Sequence, residues 1–116
     1  MKTTNYENSK KLAEIGFKAD TYFGYDRFYQ LDYPISNGSS HHIKAYDLET
    51  LLEALPAFIE LEYRKGAKNY YLLNGVGIGY ADTLEFFCHK QQNESLADTT
   101  ARLLILLHEK NIINFN

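Results

Sequence analysis

The chain is poor in the residues that staple, break or anchor a polypeptide. Its one cysteine, Cys88, rules out an intrachain disulfide and makes a reducing compartment the default. Seven glycines and two prolines in 116 residues leave little room for a flexible linker. Tryptophan is absent. The longest apolar run, Leu103-Leu104-Ile105-Leu106-Leu107, falls far short of the ~20 residues a membrane-spanning helix needs. The opening MKTTNYENSKK lacks the apolar core of a signal peptide, so the expected location is the cytoplasm, away from any membrane. No basic cluster exists that could displace counterions along a phosphate backbone, which disfavours nonspecific nucleic-acid binding.

What is present is enough for one domain spanning 1–116. A chain of this length buries roughly two-thirds of its unfolded surface around a single core, and 45% hydrophobic with 23% charged residues is a globular composition. Ten Tyr and seven Phe are an unusual aromatic load. Phe belongs inside, whereas Tyr with its polar tip also suits the border of a core or a contact surface. The net charge of -3 traces to residues 47–66, where Asp47, Glu49, Glu53, Glu60 and Glu62 face only Arg64 and Lys65.

Local patterns set out the elements. A first helix runs through Lys10–Ile15, starting between Thr4 and Ser9, and Gly16 suits its left-handed end with Phe17 folding back on Leu12. Aromatics then recur on alternate positions from Asp20 to Tyr33, which favours a strand, although Gly24–Arg27 could instead be the turn of a hairpin. Pro34 to His42 reads as loop, with Asn37-Gly38 as its tight turn. Asp47 caps a second helix, and Tyr46 and Leu51 stand at the spacing of a hydrophobic staple. Leu48, Leu51, Leu52, Leu55 and Ile59 form its apolar stripe, which Pro56 interrupts with a kink or a break into two short helices.

Lys68–Asn74 and Val76–Tyr80 form a strand pair about Asn74-Gly75, because both turn residues accept positive φ. Glu85–Lys90 is a further strand with Phe86 and Phe87 on opposite faces. Ser95 and Asp98 make a capping-box pattern for a third helix whose Leu96, Thr100, Leu103, Leu104 and Leu107 share a face, with Asn111 at its end. The expected class is α+β: a mostly antiparallel sheet with about three helices packed on one face, in the order α-ββ-α-ββ(β)-α.

Four phrases occur in order along the chain: KLAEIGFKADTYF (11–23), AYDLETLLEALP (45–56), YLLNGVGIGY (71–80) and ESLADTTARLLILLHEKN (94–111). Together they resemble a group of small phage- or prophage-encoded proteins of unknown function. The resemblance implies an accessory protein from a phage or mobile-element setting. It implies no chemistry, and it carries over no catalytic, cofactor or metal residue.

Chemistry-bearing residues are scattered. Gly75-Val76-Gly77-Ile78-Gly79 lacks the strand before and helix after that a phosphate loop requires, and reads as a hairpin with a bulge or a close backbone approach. His41, His42, Cys88, His89 and His108 show no paired spacing of a zinc site, so no metal or cofactor is expected. Adjacent Cys88 and His89 point to opposite sides of a strand. A small hydrolase built on Cys88 or a histidine would need a partner base brought in by the fold. Glu49 and Glu53, four apart, are like charges on one helix face, best read as solvated.

The leading expectation is a non-enzymatic protein-binding or assembly module whose partner is another protein or a copy of itself. It acts through Tyr22, Tyr25, Arg27 and Tyr29 and through the acidic helix; Tyr25, Arg27 and Tyr29 share a face if their strand is continuous. The competing expectation is that these rings cover the core. A third reading is local nucleic-acid binding by exposed tyrosines, against the acidic balance.

Overall fold

The computed structural model describes residues 3–26, 28, 30–32, 43–60, 65–71, 76–80 and 85–115, with the backbone alone for 32 and 65–71. The first helix, α1 (Tyr6–Glu14), is capped by Asn5, whose side chain accepts the Asn8 N–H at 2.8 Å. Its end is a Schellman turn: Gly16, at φ +90°, donates to Ala13 O, and Phe17 N–H reaches Leu12 O at 2.9 Å. Leu12 and Phe17 both enter the core.

Next come β1 (Phe23–Tyr25), β2 (Leu31–Asp32) and β3 (Ile43–Ala45), an antiparallel sheet in the order β2-β1-β3. The aromatic run is neither one continuous strand nor a hairpin turning at Gly24–Arg27: Gly24 and Tyr25 belong to β1, paired with Asp32 and Leu31, and the chain reverses between Asp26 and Gln30. Asp26 organises the reversal, its carboxylate accepting from Phe28 N–H at 2.8 Å and Gln30 N–H at 3.0 Å, the Asx geometry that competes with continued pairing. The 34–42 loop and its Asn37-Gly38 turn lie outside the described residues.

The second helix, α2 (Leu48–Ala54), starts at Asp47 as expected, and the staple residues Tyr46 and Leu51 are both buried. It ends one residue ahead of the position that Pro56 restricts, with Leu55 already extended at ψ 131°. Beyond Pro56 the structure corrects the expected kinked or two-piece helix. Residues 55–60 form no second helical piece, and Ile59 belongs to a strand, β4 (Phe58–Glu60). A single buried apolar residue between two exposed ones, Phe58 and Glu60, satisfies period two as well as it satisfied the helical stripe.

Four strands, β4, β5 (Lys65–Tyr71), β6 (Gly77–Tyr80) and β7 (Phe87–His89), build a second antiparallel sheet in sequential order. Tyr71 pairs with Gly77, which brings the strands together around the expected hairpin; the Asn74-Gly75 turn itself lies outside the described residues. The expected close approach at the glycines is present. A Cβ on Gly79 would stand 2.5 Å from Phe87 Cα, and one on Gly77 would collide with Cys88 O. Ile78, Tyr80, Phe86 and Cys88 point into the core, while Phe87 is half-buried and His89 exposed on the other face.

The last helix, α3 (Leu96–Glu109), is the centre of the molecule. Ser95 caps it, accepting Asp98 N–H at 3.1 Å, and Asn111 at φ +61° ends it while Ile112 N–H returns to Leu107 O at 2.9 Å. Ala97, Ala101, Leu103, Leu104 and Leu107 are buried against α1, α2, β6 and β7. The described residues thus form the expected α+β class with three helices, the antiparallel strands divided between two small sheets rather than gathered in one. The sequence pattern under-counted strands: β3 and β4, three residues each, are too short to show a period.

Candidate functional site

The four residues singled out from sequence do not form one face. Tyr22 is 73% exposed, just ahead of β1. Tyr25 is buried: its hydroxyl donates to Thr4 O at 2.9 Å and its ring meets Tyr6 edge-on at 5.5 Å. Burial, with the nearby Asp98 charge, pushes its phenol pKa above the ordinary value, as suits a hydroxyl used as a donor. Tyr25 is therefore a core residue and not part of a contact surface. Arg27 and Tyr29 lie outside the described residues. The condition for a shared face, one continuous strand, fails because the chain turns at Asp26. Phe28, in that turn, and Leu31 beside it are exposed with Tyr22.

The nucleophile candidate is equally placed. Cys88 is 8% exposed, and burial raises its thiol pKa, opposing the thiolate a catalytic cysteine needs. His89, next to it, projects to the opposite face, where its ring meets Phe87 edge-on at 4.9 Å. His108 stacks on Phe115. His41 and His42 lie outside the described residues. Among the described residues no three metal-ligating side chains converge, and no helix is long and apolar enough to cross a membrane.

The best-formed concavity among the described residues lies elsewhere, where the starts of α2 and α3 come together. It is a groove of 860 Å³, inside the range of about 300–1,000 Å³ usual for ligand sites. Leu48 and Leu52 from α2 and Leu96 from α3, all half-buried, form its apolar lining with Ala97. Asp47, Glu49 and Glu94 contribute carboxylates and Lys90 a single ammonium, with Asn93 and Ser95 between them. Leu48 and Leu52 sit one turn apart, beside the Leu51–Leu55 pair that faces the core. The leucine stripe of α2 is thus wider than the core needs, and its outer part opens into the groove.

The α3 wall is held rigidly. Arg102, two turns into the helix, grips Glu94 with Nε at 2.7 Å and Nη2 at 2.8 Å. Nη2 also donates to His89 O at 2.5 Å. The residues flanking β7 bond toward the β6 side, Phe86 O accepting from Tyr80 N–H and Lys90 N–H donating to Val76 O, so by alternation His89 O faces the outer edge of the sheet, and Arg102 caps it there. Glu94 in addition accepts from Gln91 N–H at 3.0 Å and Thr99 Oγ1 at 2.8 Å. Burial works to raise its pKa, but the Arg102, Gln91 and Thr99 hydrogen bonds and the guanidinium charge outweigh it and leave the carboxyl below its usual range. No spacing rule reveals this cluster, because the Glu94–Arg102 pair spans eight positions and the start of a helix.

No protein-family model, curated protein or solved structure matches this chain.

Proposed function

We propose that this chain is a non-enzymatic protein-binding module that works through the groove between α2 and α3. One observation carries the reading: three leucines from two helices, Leu48, Leu52 and Leu96, remain half-open on a groove whose far wall is fixed by the Glu94–Arg102 clamp. A pre-formed apolar depression with a charged border binds without first ordering its own side chains, which lowers the cost of association. The resemblance of four phrases to phage-type proteins supports an accessory role in such a setting, in the cytoplasm, which the single unpaired thiol suits.

Site-specific photo-crosslinking tests the reading. A photoreactive residue at position 52 or 96, in cells that naturally contain the protein, captures the same partner from both positions and none from Lys10, on an exposed part of α1. Equal capture from position 10, or no capture from the groove, removes the proposal.

A further inference from the structure

We infer that the groove's occupant is a basic amphipathic helix of a different protein, presenting aliphatic side chains to Leu48, Leu52 and Leu96 and Lys or Arg to the outer face of α2. This rests on the groove being a protein-binding surface and adds the chemistry of what fills it.

The argument is charge complementarity along α2. Glu49 lines the groove, and Glu53 stands one turn further along the same helix; both are exposed. Like charges four apart repel, and Glu53 in the last turn also opposes the negative end of the helix dipole. Glu49, in the first turn, meets the positive end of the helix dipole, but no side-chain cation within α2 offsets either carboxylate, since Leu48–Ala54 contains no Lys, Arg or His. At the groove itself three carboxylates meet one ammonium, Lys90, among the described residues, and the Glu94 carboxylate is already taken by Arg102. A cation brought alongside Glu49 and Glu53 relieves both repulsions.

The spacing selects the shape. Leu48 and Leu52 repeat by one turn, and so do Glu49 and Glu53 on the neighbouring strip, which matches the apolar and charged strips of a helix lying alongside. A symmetric contact with a second copy would set the two acidic strips against each other, and a nucleic-acid backbone would add phosphates to the same border.

Two Ala-based helical peptides serve as probes. Each carries Leu residues one turn apart; one is flanked by Lys and the other by Glu. Amide chemical-shift mapping locates each probe, and titration at low and at physiological salt gives affinities. The Lys probe shifts residues around Leu48, Leu52 and Leu96, binds at least about tenfold tighter than the Glu probe, and loses that advantage as salt rises. The double variant Glu49→Lys, Glu53→Lys, altered only at exposed positions, reverses the preference. Equal binding of both probes in the groove overturns the basic-partner inference while leaving the groove as a binding surface. Shifts from neither probe in the groove overturn both.

Discussion

The carboxylate of Asp98, in the first turn of α3, accepts a hydrogen bond from the side-chain amide of Asn8 at 3.0 Å, across 90 positions of sequence. The same oxygen accepts the backbone N–H of Asn5 at 2.8 Å, and the other accepts the Ser95 hydroxyl at 3.0 Å. One buried side chain therefore joins the start of α1 to the start of α3, beside Thr4, which bonds Ser9, Tyr25 and the backbone of Tyr46.

Removing that hub takes the acceptor from the buried Asn8 amide and from the partly buried Asn5 N–H and Ser95 hydroxyl. Asp98→Ala is expected to destabilise the fold by about 3 kcal/mol, since each stranded polar group costs about 1–3 kcal/mol. Asp98→Asn keeps an acceptor for Asn5 and Asn8, and its amide can donate to Ser95 Oγ. Its expected loss is about 1 kcal/mol, from the missing charge at the helix start. Urea denaturation separates the two; equal losses would mean that the charge, and not the bonding pattern, is what matters.

Acid should weaken the clamp that shapes the groove. The Glu94 carboxyl sits below its usual pKa in the folded protein, so its contribution is present above the unfolded value of about 4.3 and is lost as pH falls through the folded value. Arg102→Met is expected to cost about 1–2 kcal/mol at neutral pH, between the values for exposed and buried ion pairs. It should also flatten the fall in stability below about pH 4.3. Thermal unfolding of both proteins from neutral to acidic pH checks this; an unchanged acid slope in the variant would place the titration elsewhere.

Much of the fold was legible because its signals are local. Asn111, Gly16, Ser95 and Asp47 declare helix ends through their own backbone preferences, and each stands where those preferences place it. Leu55 and Ile59 misled for a physical reason: a four-residue spacing keeps the same face in a helix and also in a strand, so only Pro56 marked the change. The groove was illegible. That Leu48 and Leu52 stay half-open while Leu51 closes depends on where α3 lands, and the Glu94–Arg102–His89 cluster depends on the path from β7 into α3. Alternation puts Tyr22 and Tyr25 on opposite faces of an extended run but could not say which face the core covers; Thr4 and Tyr6 close over Tyr25 and leave Tyr22 exposed.

The glycine floor of β6 gives a steric test. At Gly79 an added methyl meets Phe87 Cα, Phe87 Cδ2 and Phe86 O, each at 2.5 Å, and two of these are backbone atoms. Gly79→Ala is expected to destabilise by about 2–3 kcal/mol, because the β6–β7 pairing must spread. Adding Phe87→Ala clears the ring but not the backbone, so the double variant should remain less stable than Phe87→Ala alone. Full recovery would show that the ring was the whole obstacle.

Cys88 separates a packed thiol from a catalytic one. Burial raises its pKa, so the thiolate is scarce at neutral pH, and the sulfur is covered by the core it shares with Ile78 and Leu104. Alkylation by iodoacetamide should then proceed only through local opening. An opening free energy of about 3 kcal/mol makes the native rate at least about 100-fold slower than the rate in denaturant. The rate should climb with pH, as it does for an ordinary thiol. Rapid labelling at neutral pH with a plateau below about pH 7 would instead identify a stabilised thiolate, and with it a nucleophile that the buried position argues against.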